Sequence, residues 1–305
     1  STNEVLKKEK IINKRKLKLV LTLLLSGKIF NVVLEKLKFK IIRRIQNSKK
    51  EFIIPELYLN LGGGRITHPE FRNLDVVKSE TNPYPFIFSK ESIFPISSTT
   101  VPIVYTSHFI EHINDETVKN ILSESRRVLT DDGILIIKIP DFDMYLDALK
   151  KGDSSKFNLQ NVEWSWKNKN VPITWKNIAL MWFCGFWNKE YGSHFLQKID
   201  KNDVLAYHGP PVSALSHIEK ILTMNSPHKI SKFLKDMVLS EEVDYTFNHQ
   251  NSWSRLELLS LLKDNNFQEI SFNKKDIVKE YNFLPKIMEL YETSTYCLAK
   301  KKINF

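Results

Sequence analysis

Apolar residues recur at two spacings along this chain, and the switches between them lay out its elements. Leu57 to Leu61 (LYLNL) is a short apolar run that stops at Gly62, Gly63 and Gly64, which predicts a strand ending in a glycine turn. Asn73 to Val77 (NLDVV) predicts a second strand and Pro102 to Thr106 (PIVYT) a third. Asp115 to Leu129 carries helical spacing, opens on an acid and closes before Asp131-Asp132-Gly133. Ile134 to Ile139 (ILIIKI) is apolar on both faces, as a central parallel strand is, and ends at Pro140-Asp141. The pattern returns late in the chain with a helix over Trp253 to Asn265 and strands over Phe267 to Phe272 and Thr295 to Lys300. Between Asp141 and His249 lies a long interruption that holds Trp164, Trp166, Trp175, Trp182 and Trp187. Strands alternating with helices predict an open α/β fold, and an aromatic-rich insertion after a strand's C-terminal end is where such folds keep substrate-binding parts.

Charge changes the picture only at the N-terminus. Residues 1–50 hold 15 Lys and Arg against 3 acids, while the remaining 255 residues hold 30 against 32. A near-neutral body argues against a basic cleft for DNA. Leu17 to Leu25 is the most apolar run of the basic segment, well short of the ~20 residues that span a bilayer. No small-residue cleavage site follows it, so a cytoplasmic protein is expected. From Lys28 to Ile45, Phe30, Val33, Leu34, Leu37, Ile41 and Ile45 recur at helical spacing among Lys36, Lys40, Arg43 and Arg44. Such a basic amphipathic helix either packs on the following domain or makes a peripheral contact with the inner face of a membrane. Cys184 and Cys297 lack any CxxC spacing and read as buried thiols of a reducing compartment.

Two motifs carry chemistry. Only about nine residues join Gly64 to the second strand, fewer than the 10 to 12 a crossover with its helix requires. That counts against a dinucleotide site, whose pyrophosphate needs the N-terminus of the following helix. A sheet face left bare by the missing helix calls for a cover, and the N-terminal helices are the obvious one. His108-Phe109-Ile110-Glu111-His112 spells H-x-x-E-H, a zinc signature when both histidines share one helical face. Here it directly follows an apolar strand. Glu111 and His112 then brace the start of a helix while His108 faces a reaction centre, and no metal is expected.

The order and spacing of LYLNLGGG, NLDVV, YTSHFIEHI and RRVLTDDGILIIKIPD resemble class I S-adenosylmethionine (SAM) dependent methyltransferases of the type 11 kind. The likeness covers about Leu57 to Asp141 closely and Ser252 to Lys300 loosely, and says nothing of residues 1–50 or the insertion. Asn60 stands where that family commonly has an acid, Ile66 where it has a third glycine, and Pro102 where it has an aspartate. The resemblance implies a Rossmann-like methyltransferase fold, a mostly parallel seven-stranded sheet with N-terminal helices and a largely helical, Trp-rich insertion. It divides the chain into a basic segment 1–50, a SAM-binding half 51–141, an inserted cap 142–248 and a C-terminal part 249–305.

By the same resemblance the cofactor is S-adenosyl-L-methionine, held by Asn60, Gly62, Gly63, Gly64, Asp75, Ile93, Phe94, Ser107 and His108. Asp75 would accept both ribose hydroxyls, and Ile93 and Phe94 would flank the adenine. The sulfonium is already a good leaving group, so the enzyme aligns an acceptor O or N and, for a hydroxyl, removes its proton. His108 is the expected base, because an imidazole titrates near neutrality. Asp141, His194, His208, His249 and Trp253 are the expected acceptor-side residues. A small-molecule or glycan acceptor suits the aromatic insertion. The alternatives are an RNA or protein acceptor recruited by the basic N-terminus, or a SAM-fold scaffold without catalysis.

Overall fold

The structure is a computed structural model that describes residues 58–64, 70–78, 82, 85–157, 174–185, 197–198, 205–206, 214–239, 249–273 and 293–302. The expected helices of residues 1–50, and Trp164, Trp166, Trp187, His194 and His208, lie outside the described residues. Among the described residues, no helix is long and apolar enough to cross a membrane.

Six strands form one sheet: β1 (Tyr58–Leu61), β2 (Phe71–Leu74), β3 (Val101–Ser107), β4 (Leu129–Pro140), β7 (Phe267–Ser271) and β8 (Ser294–Lys301). Two short strands of the insertion, β5 (Gln197–Lys198) and β6 (Leu205–Ala206), pair apart from them. The order across the large sheet is β2-β1-β3-β4-β8-β7. β2, β1, β3 and β4 run parallel, and β8 is antiparallel to both its neighbours. This is a Rossmann-like sheet with one reversed strand; the expected seventh strand is not among the described residues.

Side chains alternate between the two faces with period two. Leu59, Leu61, Val104, Leu135, Ile137, Cys297 and Ala299 belong to one core, together with residues of α1 (Asp115–Val128) and α6 (Arg255–Asp264). Phe71, Ile103, Tyr105, Ile134, Ile136, Tyr296 and Leu298 form a second core on the other face. Burial on both faces is why PIVYT and ILIIKI read as unbroken apolar runs.

Three boundaries move from where the sequence puts them. The second strand ends at Leu74, because the Asp75 side chain accepts the Val77 N–H at 2.7 Å and turns the chain there. β4 starts five residues early, at Leu129, since a register shift between Val101 and Ile103 lets Leu129 pair before Ile134 resumes the ladder. α6 starts at Arg255, behind a capping box in which Ser254 and Glu257 satisfy each other's backbone N–H. α1 itself follows the expected spacing, with Asn114 accepting the Thr117 N–H and Asp115 and Glu116 in its first turn.

The insertion contributes α2 (Phe142–Lys151), α3 (Trp175–Cys184), α4 (Ala214–Thr223) and α5 (Pro227–Leu239). They share a core of their own, in which Tyr145 stacks on Trp182 at 5.8 Å and on Phe157 at 5.5 Å.

Between β2 and β3 the described residues form no helix, and the segment is anchored by charge. The Glu124 carboxylate accepts the Phe94 N–H at 2.7 Å and the Nε and Nη2 donors of Arg127, which also donates to the carbonyls of Phe94 and Ile96. Replacing Glu124 leaves the buried Phe94 N–H without its acceptor and takes two charge-assisted hydrogen bonds from Arg127. Glu124→Ala is expected to lower the unfolding free energy by about 2–3 kcal/mol, the scale of hydrogen bonds to a charged group, read from the urea midpoint.

Candidate functional site

In the order β2-β1-β3-β4, the chain leaves β1 toward one edge and returns to β3 on the other side, so the topological switch point lies beyond the C-terminal ends of β1 and β3. Open α/β sheets bind ligands there. Gly62 to Gly64 follow β1, Asp75 follows β2, and Ser107 and His108 close β3. Only residues 62–70 connect β1 to β2, so no crossover helix fits between these parallel strands.

The glycines have different reasons. Gly62 takes φ 67°, and a Cβ there would collide with the Phe109 ring, which ties the turn after β1 to the loop after β3. Gly63 lies against a hydrogen-bonded amide pair: Asn60 donates to Asn73 at 2.9 Å across register-matched positions of β1 and β2. Gly64 takes φ 58°, and among the described residues, its chain neighbours aside, no atom lies within 4 Å of its Cβ position. Asp75 is nearly buried, and its carboxylate accepts the N–H groups of Gly64 at 2.9 Å and Val77 at 2.7 Å. Asn60 is therefore committed to Asn73, and Asp75 to holding the glycine turn against β2.

Ile93 and Phe94 part company. Ile93 is 71% exposed, whereas Phe94 is fully buried with Phe86 and Phe88 edge-on at 5.7 and 6.0 Å. Phe94 is a core residue. Ser107 hydrogen-bonds Tyr105 two positions back, while burial pushes the Tyr105 phenol up to about 12.

His108 sits in the left-handed region at φ 47°, a conformation that side chains other than glycine seldom adopt. Its backbone N–H donates to the Lys138 carbonyl at 2.8 Å, continuing the β3–β4 ladder. Its ring is held at both nitrogens: Nδ1 lies 3.1 Å from Glu111 Oε1, and Nε2 lies 3.0 Å from Ser294 Oγ. Because β8 is reversed, its first residue, Ser294, stands opposite Pro140 at the carboxyl edge of the sheet. The turn after His108 is a short 3-10 helix, Ile110–His112, so His108 and His112 do not share an α-helical face and the peptidase arrangement is absent.

Glu111 is buried, and His112 and His249 stand beside it with their rings 4.9 Å apart. Burial alone pushes the Glu111 carboxyl up. The His108 hydrogen bond and the nearby imidazoles of His108, His112 and His249 outweigh it and hold the group below the usual carboxylate range. Burial, reinforced by His112, pushes the His249 imidazole down to about 3.

What brings His249 here is a stitched segment that no sequence pattern announces. The His249 N–H donates to the Cys184 carbonyl and the Asn251 N–H to that of Glu111, while Gln250 and Asn251 side chains donate to His112 and Ile113. Ser294, likewise, carried no signal. Its only hint was its place just before a strand expected at the end of the chain.

Of the remaining expected residues, Trp253 packs partly buried against the first core and Asp141 is structural. Asp141 Oδ1 accepts the Met144 N–H at the start of α2, and Oδ2 pairs with Arg255 at 2.7 Å, joining insertion and α6. A cavity of about 10 Å³ adjoins Glu111, His249, Asn251 and Trp253. A groove of about 390 Å³ between α1, α5 and α6 shares Asn251 and Trp253 with it.

No protein-family model and no curated protein matches the sequence. Solved structures similar to it include phosphoethanolamine N-methyltransferase 2 of Haemonchus contortus, solved with phosphomonomethylethanolamine and S-adenosylhomocysteine. That protein is 9% identical with a TM-score of 0.33, over 88% of this chain and 53% of the other. The chain thus spans about half of that protein's length. A SAM-dependent methyltransferase from Archaeoglobus fulgidus is 11% identical, with a TM-score of 0.33 over 88% of this chain and 94% of the other. One from Mesorhizobium loti is 11% identical, with a TM-score of 0.32 over 87% and 97%.

The double engagement of Asp141 gives a test of its structural role. Asp141→Ala is expected to cost about 1–2 kcal/mol of stability through the lost helix cap, with Asp141→Asn keeping most of it. Chemical denaturation of the two variants reads the difference.

Proposed function

We propose that this chain is a SAM-dependent methyltransferase that transfers a methyl group to an oxygen or nitrogen of a small polar or glycan-type acceptor. One observation carries the reading: the switch point of a Rossmann-like sheet is lined by a glycine turn, a carboxylate at the end of the neighbouring strand and a doubly held histidine after the next. The absence of room for a crossover helix between β1 and β2 favours a nucleoside-type cofactor without phosphates over a dinucleotide.

The residues present fit such a group. A carboxylate offers about four acceptor positions; Gly64 and Val77 use one on each oxygen of Asp75, which leaves capacity for a vicinal diol. The space over Gly64 admits a ligand close to the backbone. Ile93 offers an exposed apolar side chain for a purine, Gly62 and Gly63 line the methionine side, and Asn60 acts by fixing the turn. Bound SAM supplies an activated methyl group on a sulfonium.

His108 is the base in this reading. Its Nδ1–H donates to the Glu111 carboxylate, which fixes the tautomer and leaves the lone pair on Nε2, where Ser294 now donates. An acceptor hydroxyl in place of the serine hydroxyl gives its proton to the same nitrogen. The groove of about 390 Å³ has the size of small-ligand sites, and its lysines, acids and Trp253 suit a polar acceptor.

Calorimetry of the full chain with SAM and S-adenosylhomocysteine tests the cofactor. Asp75→Ala is expected to weaken SAM binding by roughly 1.5–3 kcal/mol, with Asp75→Asn retaining part of it. A wild-type chain that binds neither ligand removes the assignment. With an acceptor in hand, His108→Ala is expected to keep SAM affinity while turnover falls about 10²- to 10⁴-fold. Unchanged turnover moves the base elsewhere.

A further inference from the structure

We propose that Glu111, His112 and His249 form a binding site for one divalent transition-metal ion, with zinc as the ion its donors suit. This goes beyond the methyl-transfer reading, which needs no metal, and departs from the metal-free site expected from the sequence.

The first support is geometric. One ligand atom from each of the three residues lies within 4.8 Å of the other two. A tetrahedral ion with bonds of about 2.0–2.1 Å spaces its donors roughly 3.4 Å apart, so side-chain rotations close the set around a metal. Two imidazoles and a carboxylate are the donors that bind zinc and its neighbours in preference to calcium or magnesium.

The second support is an unmet demand. Glu111 is 1% exposed, and its Oε1 is satisfied by His108, but Oε2 is buried with no hydrogen-bond partner. A buried carboxylate oxygen left unpaired costs free energy that folded proteins seldom tolerate, and a cation between that oxygen and the two imidazoles removes the cost.

The third support is the outer layer. His249 Nδ1 lies 3.1 Å from the Phe183 carbonyl, an oxygen that can only accept, so Nδ1 carries the proton and Nε2 the lone pair. A ring N–H donated to a backbone carbonyl is the arrangement that orients metal-binding histidines. His108 plays the same part for the carboxylate by holding Oε1. The backbone bonds from His249 to Cys184 and from Asn251 to Glu111 fix the third donor relative to the first two. The adjoining cavity of about 10 Å³ matches one water molecule, the usual fourth partner where three protein groups hold zinc.

The ligand set therefore differs from the one H-x-x-E-H implies by spelling. His108 is an orienting residue, and its place among the ligands is taken by His249, 137 positions beyond His112 in the chain.

The test uses the full chain, stripped with a chelator and titrated with Zn²⁺ alone by calorimetry, with metal content after dialysis measured by mass spectrometry. One zinc per chain is expected, together with a visible d–d absorption when Co²⁺ replaces it and a melting temperature that rises with metal. His249→Ala and Glu111→Gln should each weaken Zn²⁺ binding by more than the roughly 10- to 100-fold that follows loss of an outer partner. His228→Ala, at an exposed histidine paired with Glu257, should leave it unchanged. Circular dichroism confirms that each variant is folded, and His112→Ala replaces any variant that is not. SAM calorimetry on the same samples keeps this result separate from the cofactor assignment. A folded wild-type chain that retains no zinc, or zinc binding untouched in the ligand variants, overturns the site.

Discussion

A carboxylate buried at the carboxyl edge of the sheet is the feature around which this molecule's polar interior is arranged. Glu111 has almost no contact with water, yet the His108 hydrogen bond and the imidazoles beside it outweigh burial and hold its carboxyl below the usual carboxylate range. An ion in that position imposes conditions on every neighbour, because the low-dielectric interior makes each unmade interaction costly. His108 points one nitrogen at it, which leaves the other for Ser294, and His112 and His249 stand beside it. The left-handed backbone at His108 is consistent with such over-determination, since strain of this kind persists where surrounding structure holds it.

Topology supplies the partners. The reversed β8 starts at the edge where β1, β3 and β4 end, and so delivers Ser294 to a histidine that follows β3. The stretch 249–252 reaches the 3-10 turn from beyond the insertion, bonding both to it and to the end of α3. Two cores flank this polar layer, one between the sheet and α1 with α6, the other among the helices of the insertion. Asp141 and Arg255 clamp the second to the first, so a residue expected to meet an acceptor serves the joint between layers instead.

The methyl-transfer reading and the metal reading occupy adjacent parts of this edge and share Glu111. His108 holds one oxygen of its carboxylate, and in the metal reading the other, unpartnered one takes the ion, so the two roles do not compete for a single atom. Asp75 shows a comparable economy. It forms the turn that ends β2 and clamps the glycine loop, while its remaining acceptor capacity suits a ribose. The turn-forming explanation of Asp75 and the ligand-binding one are thus compatible.

By itself the sequence determined the parts that depend on near neighbours. Unbroken apolar runs marked β3 and β4 because both faces of a central parallel strand are covered, and helical spacing opened by an acid marked α1 almost to the residue. The short span after Gly64 held fewer residues than a crossover with its helix requires. Only the tertiary structure decided which polar residues meet. Asn60 finds Asn73 through strand register, Phe94 turns into an aromatic core while Ile93 turns out, and His249 and Ser294 reach Glu111 and His108 across more than a hundred residues. Local spacing carries no record of such encounters, because they are set by strand order and by backbone hydrogen bonds between distant loops.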